Sequence, residues 1–200
     1  MVVVSITLYF PNFFNSSINF LCSFTANSGK STVGKILAQK LNLKHYSTGD
    51  FMRKMAREKN LSLEELGKIA EGDRSIDTAL DEQQIELAEK EDDFIMDGRL
   101  SFKFLPKSIK IFLDGDLKVR AQRIWHDITV RELRKEERAE NIREIIEEMQ
   151  TREQCEKTRY LKYYDIDPYD MKHYDLVVDT SNINAEEVAD KIVEFVKQKE

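Results

Sequence analysis

Apolar residues follow two periods along the chain. Short β-branched and aromatic runs alternate with longer stretches whose apolar positions recur every three or four residues. The runs Val2–Thr7, Ile18–Phe24, Leu43–Tyr46, Asp93–Met96, Ser108–Leu113 and Asp175–Asp179 predict strands. Helical spacing predicts helices over about Lys30–Leu41, Asp50–Lys59, Leu63–Ala70, Arg74–Lys90, Leu117–Trp125, Arg138–Tyr163 and Ala185–Lys199. Val33, Ile36, Leu37 and Leu41 mark the apolar face of the first, and Val188, Ile192, Phe195 and Val196 that of the last. Ser62 with Glu65 three residues on is a capping-box pattern that starts the third. Strands separated by helices imply an α/β fold, a parallel sheet covered on both faces. Ligands of such folds sit at the carboxyl ends of the strands. No repeat or linker interrupts the pattern, so residues 1–200 read as one domain.

Composition narrows the function. A chain of 200 residues can bury a substantial core. Its net charge of −6 argues against general binding to nucleic acid or a membrane surface, while leaving room for a local basic cluster on an anionic substrate. Cys22 and Cys155 have neither metal-ligand nor disulfide spacing, which fits a reducing cytosol. Residues 1–29 lack Asp, Glu, Lys and Arg, yet they show no basic region or cleavage site of a signal peptide. Pro11, Asn12, Asn15, Ser16, Ser17 and Asn19 break every apolar run well short of the ~20 residues of a membrane span. A soluble, cytoplasmic protein is the expectation.

Candidate chemistry begins at Ser28-Gly29-Lys30-Ser31-Thr32, which leads straight into a helix. The run has the form of the second half of a phosphate-binding loop, G-x-x-x-x-G-K-[ST], preceded by the small residues Thr25 and Ala26. In that motif backbone N–H groups wrap the phosphates, the lysine reaches the β/γ oxygens and the hydroxyl binds Mg²⁺. Phe24 stands where the first glycine belongs. Asp97-Gly98-Arg99 ends a predicted strand, so it reads either as a Mg²⁺ and phosphate site or as a solvated Asp-Gly turn.

The long helix near the C-terminus carries an apolar stripe, Ile142, Ile145 and Met149, which continues at the same spacing as Arg152, Glu156, Arg159 and Tyr163. Arginines on a core-facing stripe require a negative partner. Glu156 can supply one, and a bound phosphate another; the competing reading is a helix that simply leaves the core. Arg120, Arg123, Arg131, Arg134, Lys135 and Arg138 precede that helix, interleaved with Glu132, Glu136 and Glu137. They fit an exposed, salt-bridged segment or a mobile lid over a polyphosphate. His45, His126 and His173 have no metal-ligand spacing, and Trp125 and the Tyr160–Tyr174 region suit core and helix packing.

In this order the motifs resemble those of the nucleoside monophosphate kinases, most closely the archaeal-type cytidylate kinases. The resemblance runs from Ala26 to the C-terminus. It includes Ser28–Ala38, Tyr46–Arg53, Ile95–Leu100, Ile111–Asp114, Val119–Ile124, the Arg152/Glu156/Arg159 spacing and Tyr174–Ser181. It implies a three-layer P-loop NTPase fold with acceptor-binding helices over about residues 50–90 and a lid over about 123–140. It further implies ATP-dependent phosphorylation of CMP or dCMP with Mg²⁺, by a monomer acting on small nucleotides. Thr25, Ala26, Asn27, Ser28, Gly29, Lys30, Ser31 and Thr32 would hold ATP, with Arg120 and Arg123 opening the lid and Thr180-Ser181 near the ATP base. Ser31 and Asp97 would serve Mg²⁺. Arg53, Gly98, Arg99, Arg152 and Arg159 would hold the acceptor phosphate or the migrating phosphoryl group, with Thr48 and Glu156 near the acceptor nucleotide.

One departure stands out. In the family the first strand runs directly into a glycine-rich loop, whereas here Leu8–Phe24 reads as an insertion, with Phe24 and Asn27 at glycine positions. Asn tolerates positive φ; a large aromatic obstructs a tight turn. The insertion is either a tolerated loop or sequence foreign to the working protein, and either Val2–Thr7 or Ile18–Phe24 can feed the loop. A kinase for AMP or UMP, or a non-catalytic nucleotide-binding protein with a damaged loop, are the competing functions.

Overall fold

The computed structural model describes residues 7–8, 19–22, 30–130 and 141–199. Among the described residues six strands form one sheet: β1 (Thr7–Leu8), β2 (Asn19–Cys22), β3 (Lys44–Ser47), β4 (Phe94–Asp97), β5 (Ser108–Asp114) and β6 (Leu176–Asp179). Their order β3-β4-β2-β5-β6 is parallel throughout. The two-residue β1 runs antiparallel to β4, with Thr7 opposite Met96. Of the two apolar runs near the N-terminus, the second therefore supplies the central strand, from within the stretch that reads as an insertion. Residues 1–6, 9–18 and 23–29 lie outside the described residues, and with them Phe24 and most of the phosphate loop.

The helices are α1 (Lys30–Leu41), α2 (Thr48–Glu58), α3 (Leu63–Gly72), α4 (Arg74–Lys90), a single-turn α5 (Ser101–Phe104), α6 (Leu117–Thr129), α7 (Ile142–Tyr164) and α8 (Ala185–Lys197). Most match the periodic segments to within a few residues. Ser62 and Glu65 close the expected capping box at α3. Asn141 caps α7 by accepting from the N–H groups of Arg143 and Glu144, and Asp165 ends it in the left-handed conformation. The expected onset of α7 at Arg138, and the basic cluster Arg131–Arg138, fall outside the described residues. The single turn α5 was not expected, because four residues carry no readable period.

Alternation along the strands divides the core between two faces. Ile95 of β4 joins Ile109, Ile111 and Leu113 of β5 against Val33 and Leu37 of α1 and Val188 and Ile192 of α8. Phe94 and Met96 point the other way, toward Leu100, Phe102, Leu105 and Tyr160 of α7. Ala121 and Ile124 of α6 pack with Ile145 and Met149 of α7. These layers confirm the α/β fold with helices on both sides of a parallel sheet. Among the described residues no helix is long and apolar enough to cross a membrane.

A separate cluster, Met55, Ala56, Leu66, Ala70 and Ile76, holds α2, α3 and α4 together. Leu66 is its fully buried centre. Leu66→Ala should cost about 2–5 kcal/mol. Because this cluster stands apart from the sheet core, amide hydrogen exchange should quicken in α2–α4 while β4 and β5 stay protected; equal acceleration in both regions would count against a separable arm.

Candidate active site

Every parallel strand but β2 hands a polar group to the same end of the sheet. β3 ends at Ser47, which caps α2. β4 ends at Asp97, in register with Ser47 of β3 on one side and Cys22 of β2 on the other. β5 ends at Asp114, opposite Asp179 of β6. The strand order reverses around β2, and the crevice at such a reversal is where open α/β sheets bind ligands.

At this crevice Ser31, in the first turn of α1, donates its hydroxyl to Asp97 Oδ2 at 2.8 Å. Asp97 is buried, and its Oδ1 has no hydrogen-bond partner among the described residues. A buried carboxylate oxygen left open beside a serine hydroxyl is hard-oxygen chemistry of the kind Mg²⁺ takes, so the residues fit that ion. His45 Nε2 lies 3.9 Å from Asp97 Oδ2, in space that Gly34 leaves: a Cβ there would come within 2.7 Å of the imidazole. His45 has no metal-ligand spacing in the sequence, yet it borders the site. Gly98 is similarly required, since a Cβ would meet Thr48 Cγ2 at 2.6 Å, and Thr48 donates to the Asp97 carbonyl at 3.3 Å.

Arginines gather on the neighbouring side. Arg99, one residue beyond Gly98, is ion-paired with Glu156 of α7. Arg152 donates to the same carboxylate, Nε to Oε1 at 3.1 Å. Glu156 is only 7 % exposed. Burial, with the Arg152 charge adding to it, pulls the Arg99 guanidinium down to about 10, so it remains cationic at neutral pH. Arg159 lies one turn further along, Nε 3.3 Å from Asp77 Oδ2 of α4. Arg53 is more peripheral, pairing with Asp50 on the exposed side of α2.

The inward stripe of α7 differs in detail from its expected course. At ~3.6 residues per turn the buried column runs Ile145, Met149, Glu156, Tyr160, while the Arg152 side chain is 54 % exposed at its edge. Tyr163 is only half-buried and donates to the Glu71 carbonyl. The exposed reading of Arg120 and Arg123 does not hold. Arg120 is 0 % exposed, with Nη1 donating to Glu153 at 3.0 Å, and half-buried Arg123 donates to the Thr180 carbonyl at 2.6 Å. Interleaved glutamates suggested solvent, but α6 packs its arginine face between α7 and the β6–α8 turn. Trp125 and Tyr160 pack as expected, and Tyr174 sits edge-to-face on Phe102 and Phe112. Thr25, Ala26, Asn27, Ser28 and Gly29 lie outside the described residues; Lys30 opens α1, and Thr32 follows Ser31 in its first turn.

The profile of the cytidylate kinase-like family matches residues 23–182. The chain belongs to that family. It is 38 % identical over 171 residues to the cytidylate kinase of Methanocella arvoryzae, covering 86 % of this chain and 92 % of that protein. The cytidylate kinases of Archaeoglobus fulgidus (36 % over 177 residues, 86 % and 91 % covered) and Methanothrix thermoacetophila (39 % over 153 residues, 76 % and 83 % covered) are similar. A crystal structure of a protein from Eubacterium ventriosum superposes with a TM-score of 0.62 at 18 % identity, covering 86 % of this chain and 94 % of the other. That likeness bears on the fold alone.

A polar seam between α4 and α7 lies outside the sequence-predicted site residues. Asp77, Asp81 and Gln84 fall at i, i+4 and i+7, one face of α4, and that spacing is the signal that could have found them. Ser101 donates to Gln84, and Tyr164 donates to Asp81 at 2.5 Å. Burial pushes the Asp81 carboxyl up to about 7, against the opposing pull of the Tyr164 hydrogen bond. The unfolded chain releases this proton near 3.8, so the native state holds it through the interval between. Stability contributed at Asp81 is therefore lost as pH rises from about 4 to about 7. Asp81→Asn keeps an acceptor for Tyr164 and is neutral throughout. Its Tm should equal the parent's near pH 4 and exceed it increasingly up to pH 8; a pH-independent difference would disprove the shift.

Proposed function

We propose that this chain transfers the γ-phosphoryl group of ATP to the 5′-phosphate of CMP or dCMP. The observation that carries the reading is the convergence of Arg99 and Arg152 on buried Glu156, beside the Ser31–Asp97 brace at the carboxyl ends of the strands. An oxygen of the acceptor phosphate attacks the γ-phosphorus, and the bond from that phosphorus to the β–γ bridging oxygen breaks, leaving ADP. No side-chain nucleophile is required: alignment and charge neutralisation suffice. Lys30 and the N–H groups opening α1 face the donor phosphates in this reading, with Thr25–Thr32 around them. Arg99, Arg152, Arg159 and Arg53 neutralise the acceptor and transferring groups, and Thr48, Gly98 and Glu156 border the acceptor nucleotide. Mg²⁺, held from Ser31 and Asp97, would supply further neutralisation across the donor phosphates.

On the donor side Arg123 anchors Thr180, and Thr180 donates to the Asp114 carbonyl at 2.8 Å. The turn beside the ATP base is thereby braced, and Arg120 fixes α6 to α7 through Glu153. One kinase domain follows, with α2–α4 as the acceptor arm and about residues 123–140 as the lid whose closure excludes water. A monomeric, cytoplasmic enzyme acting on small nucleotides, without nucleic acid or membrane, is the corresponding cellular picture.

An ADP-release assay over CMP, dCMP, UMP and AMP tests the reading. CMP or dCMP should give the highest kcat/KM, and Lys30→Ala should lower it by about 100-fold or more, the scale of losing one charge-stabilising group. Preference for UMP or AMP would redirect the substrate assignment. Absence of turnover in folded protein would mean that Phe24 and Asn27 have disabled the loop.

A further inference from the structure

Asp77 is a carboxylate 5 % exposed, next to Ile76 of the apolar cluster that also holds Leu66 and Ala70. Placing a charge there costs several kcal/mol unless it is matched. Its partner is Arg159, whose side chain is itself only 13 % exposed, with Nε 3.3 Å from Asp77 Oδ2. Among the described residues neither Asp77 Oδ2 nor Arg159 Nε makes a hydrogen bond, so the pair is held by charge. The guanidinium reaches the Tyr160 hydroxyl through Nη2 at 3.4 Å and stacks on that ring at 5.2 Å. Local packing therefore explains the arginine's stem, while among the described residues Asp77 supplies its opposite charge from across the seam.

The rest of the seam ties the same helices. Tyr164 bonds Asp81, Tyr163 bonds the Glu71 carbonyl, and Arg74 lies over the rings of Tyr163 and Tyr164 at 5.8 and 5.6 Å. These contacts join the C-terminal turns of α7 to α3 and α4, and Asp77–Arg159 is the link in that row nearest Glu156.

We propose that Asp77 is a positioning residue: it holds the Arg159 guanidinium toward the acceptor phosphate and so couples the acceptor arm to α7. The proposal rests on the assignment of Arg159 to that phosphate. Truncating the charge while keeping the shape leaves a guanidinium that samples other rotamers and meets the acceptor less often.

Steady-state kinetics on a double-mutant cycle of Asp77→Asn and Arg159→Ala tests it, with ATP and CMP varied separately. Asp77→Asn should raise the CMP KM about tenfold and leave the ATP KM within about twofold, the scale of one weakened charge-assisted contact. In the Arg159→Ala background the same substitution should add less than about twofold, because the group it positions is gone. If Asp77→Asn fails to fold, Asp77→Glu carries the same cycle, the displaced charge raising the CMP KM alone. Equal effects on both substrates, or full additivity with Arg159→Ala, would overturn the proposal. An Arg159→Ala variant with unchanged CMP KM would instead overturn the assignment of Arg159, which is a separate failure.

Discussion

The structure depends on one buried carboxylate. Glu156 sits at the centre of α7, where the helix face passes from apolar to charged, and it binds Arg99 from the strand end and Arg152 from its own preceding turn. A lone carboxylate at this depth would take up a proton or drive the helix outward. Two guanidiniums make its burial tolerable and leave the cluster with an excess of positive charge. A cluster balanced in itself would have no use for a phosphate, whereas an excess of positive charge suits the phosphate-binding role proposed for it.

The fold exists around this cluster in a definite sense. A parallel sheet with the β2 strand at its centre delivers Asp97 and Arg99 to one edge, and α1 delivers Ser31 to the same edge. The α7 helix is long enough to serve two regions, packing Ile145 and Met149 on α6 and presenting Glu156 and Arg159 further along. The α2–α4 helices have their own small core and meet α7 both through polar contacts at Tyr163 and Tyr164 and through the apolar cluster that Phe51, Leu87 and Ala88 share with Tyr160. By contrast, α8 and α1 cover the opposite face of the sheet with largely aliphatic side chains.

Much of this was legible because it is local. The Ser62–Glu65 box, the period of α4 and the β-branched runs act within a few residues, and the structure follows them. The Arg152/Glu156 pairing was legible from i, i+4 spacing for the same reason. Non-local facts were not: Arg120 is flanked by charges that suggest solvent, and only the arrival of Glu153 from α7 allows its burial. The tie between Asp77 and Arg159 spans helices far apart in sequence, and His45 meets Asp97 only through strand pairing. The choice between two candidate first strands likewise rested on which one the sheet accepts, and no local pattern distinguishes Val2–Thr7 from Ile18–Phe24.

If the arginine cluster holds a phosphate, calorimetric titration of CMP and of cytidine will separate the two ligands. The two ligands share a base and sugar and differ only in the 5′-phosphate. CMP should bind the folded protein at one site about 100-fold more tightly than cytidine, equivalent to about 2.7 kcal/mol and in keeping with two charge-assisted contacts. Equal affinity for the two, with the protein folded, would mean that the arginines do not hold the 5′-phosphate.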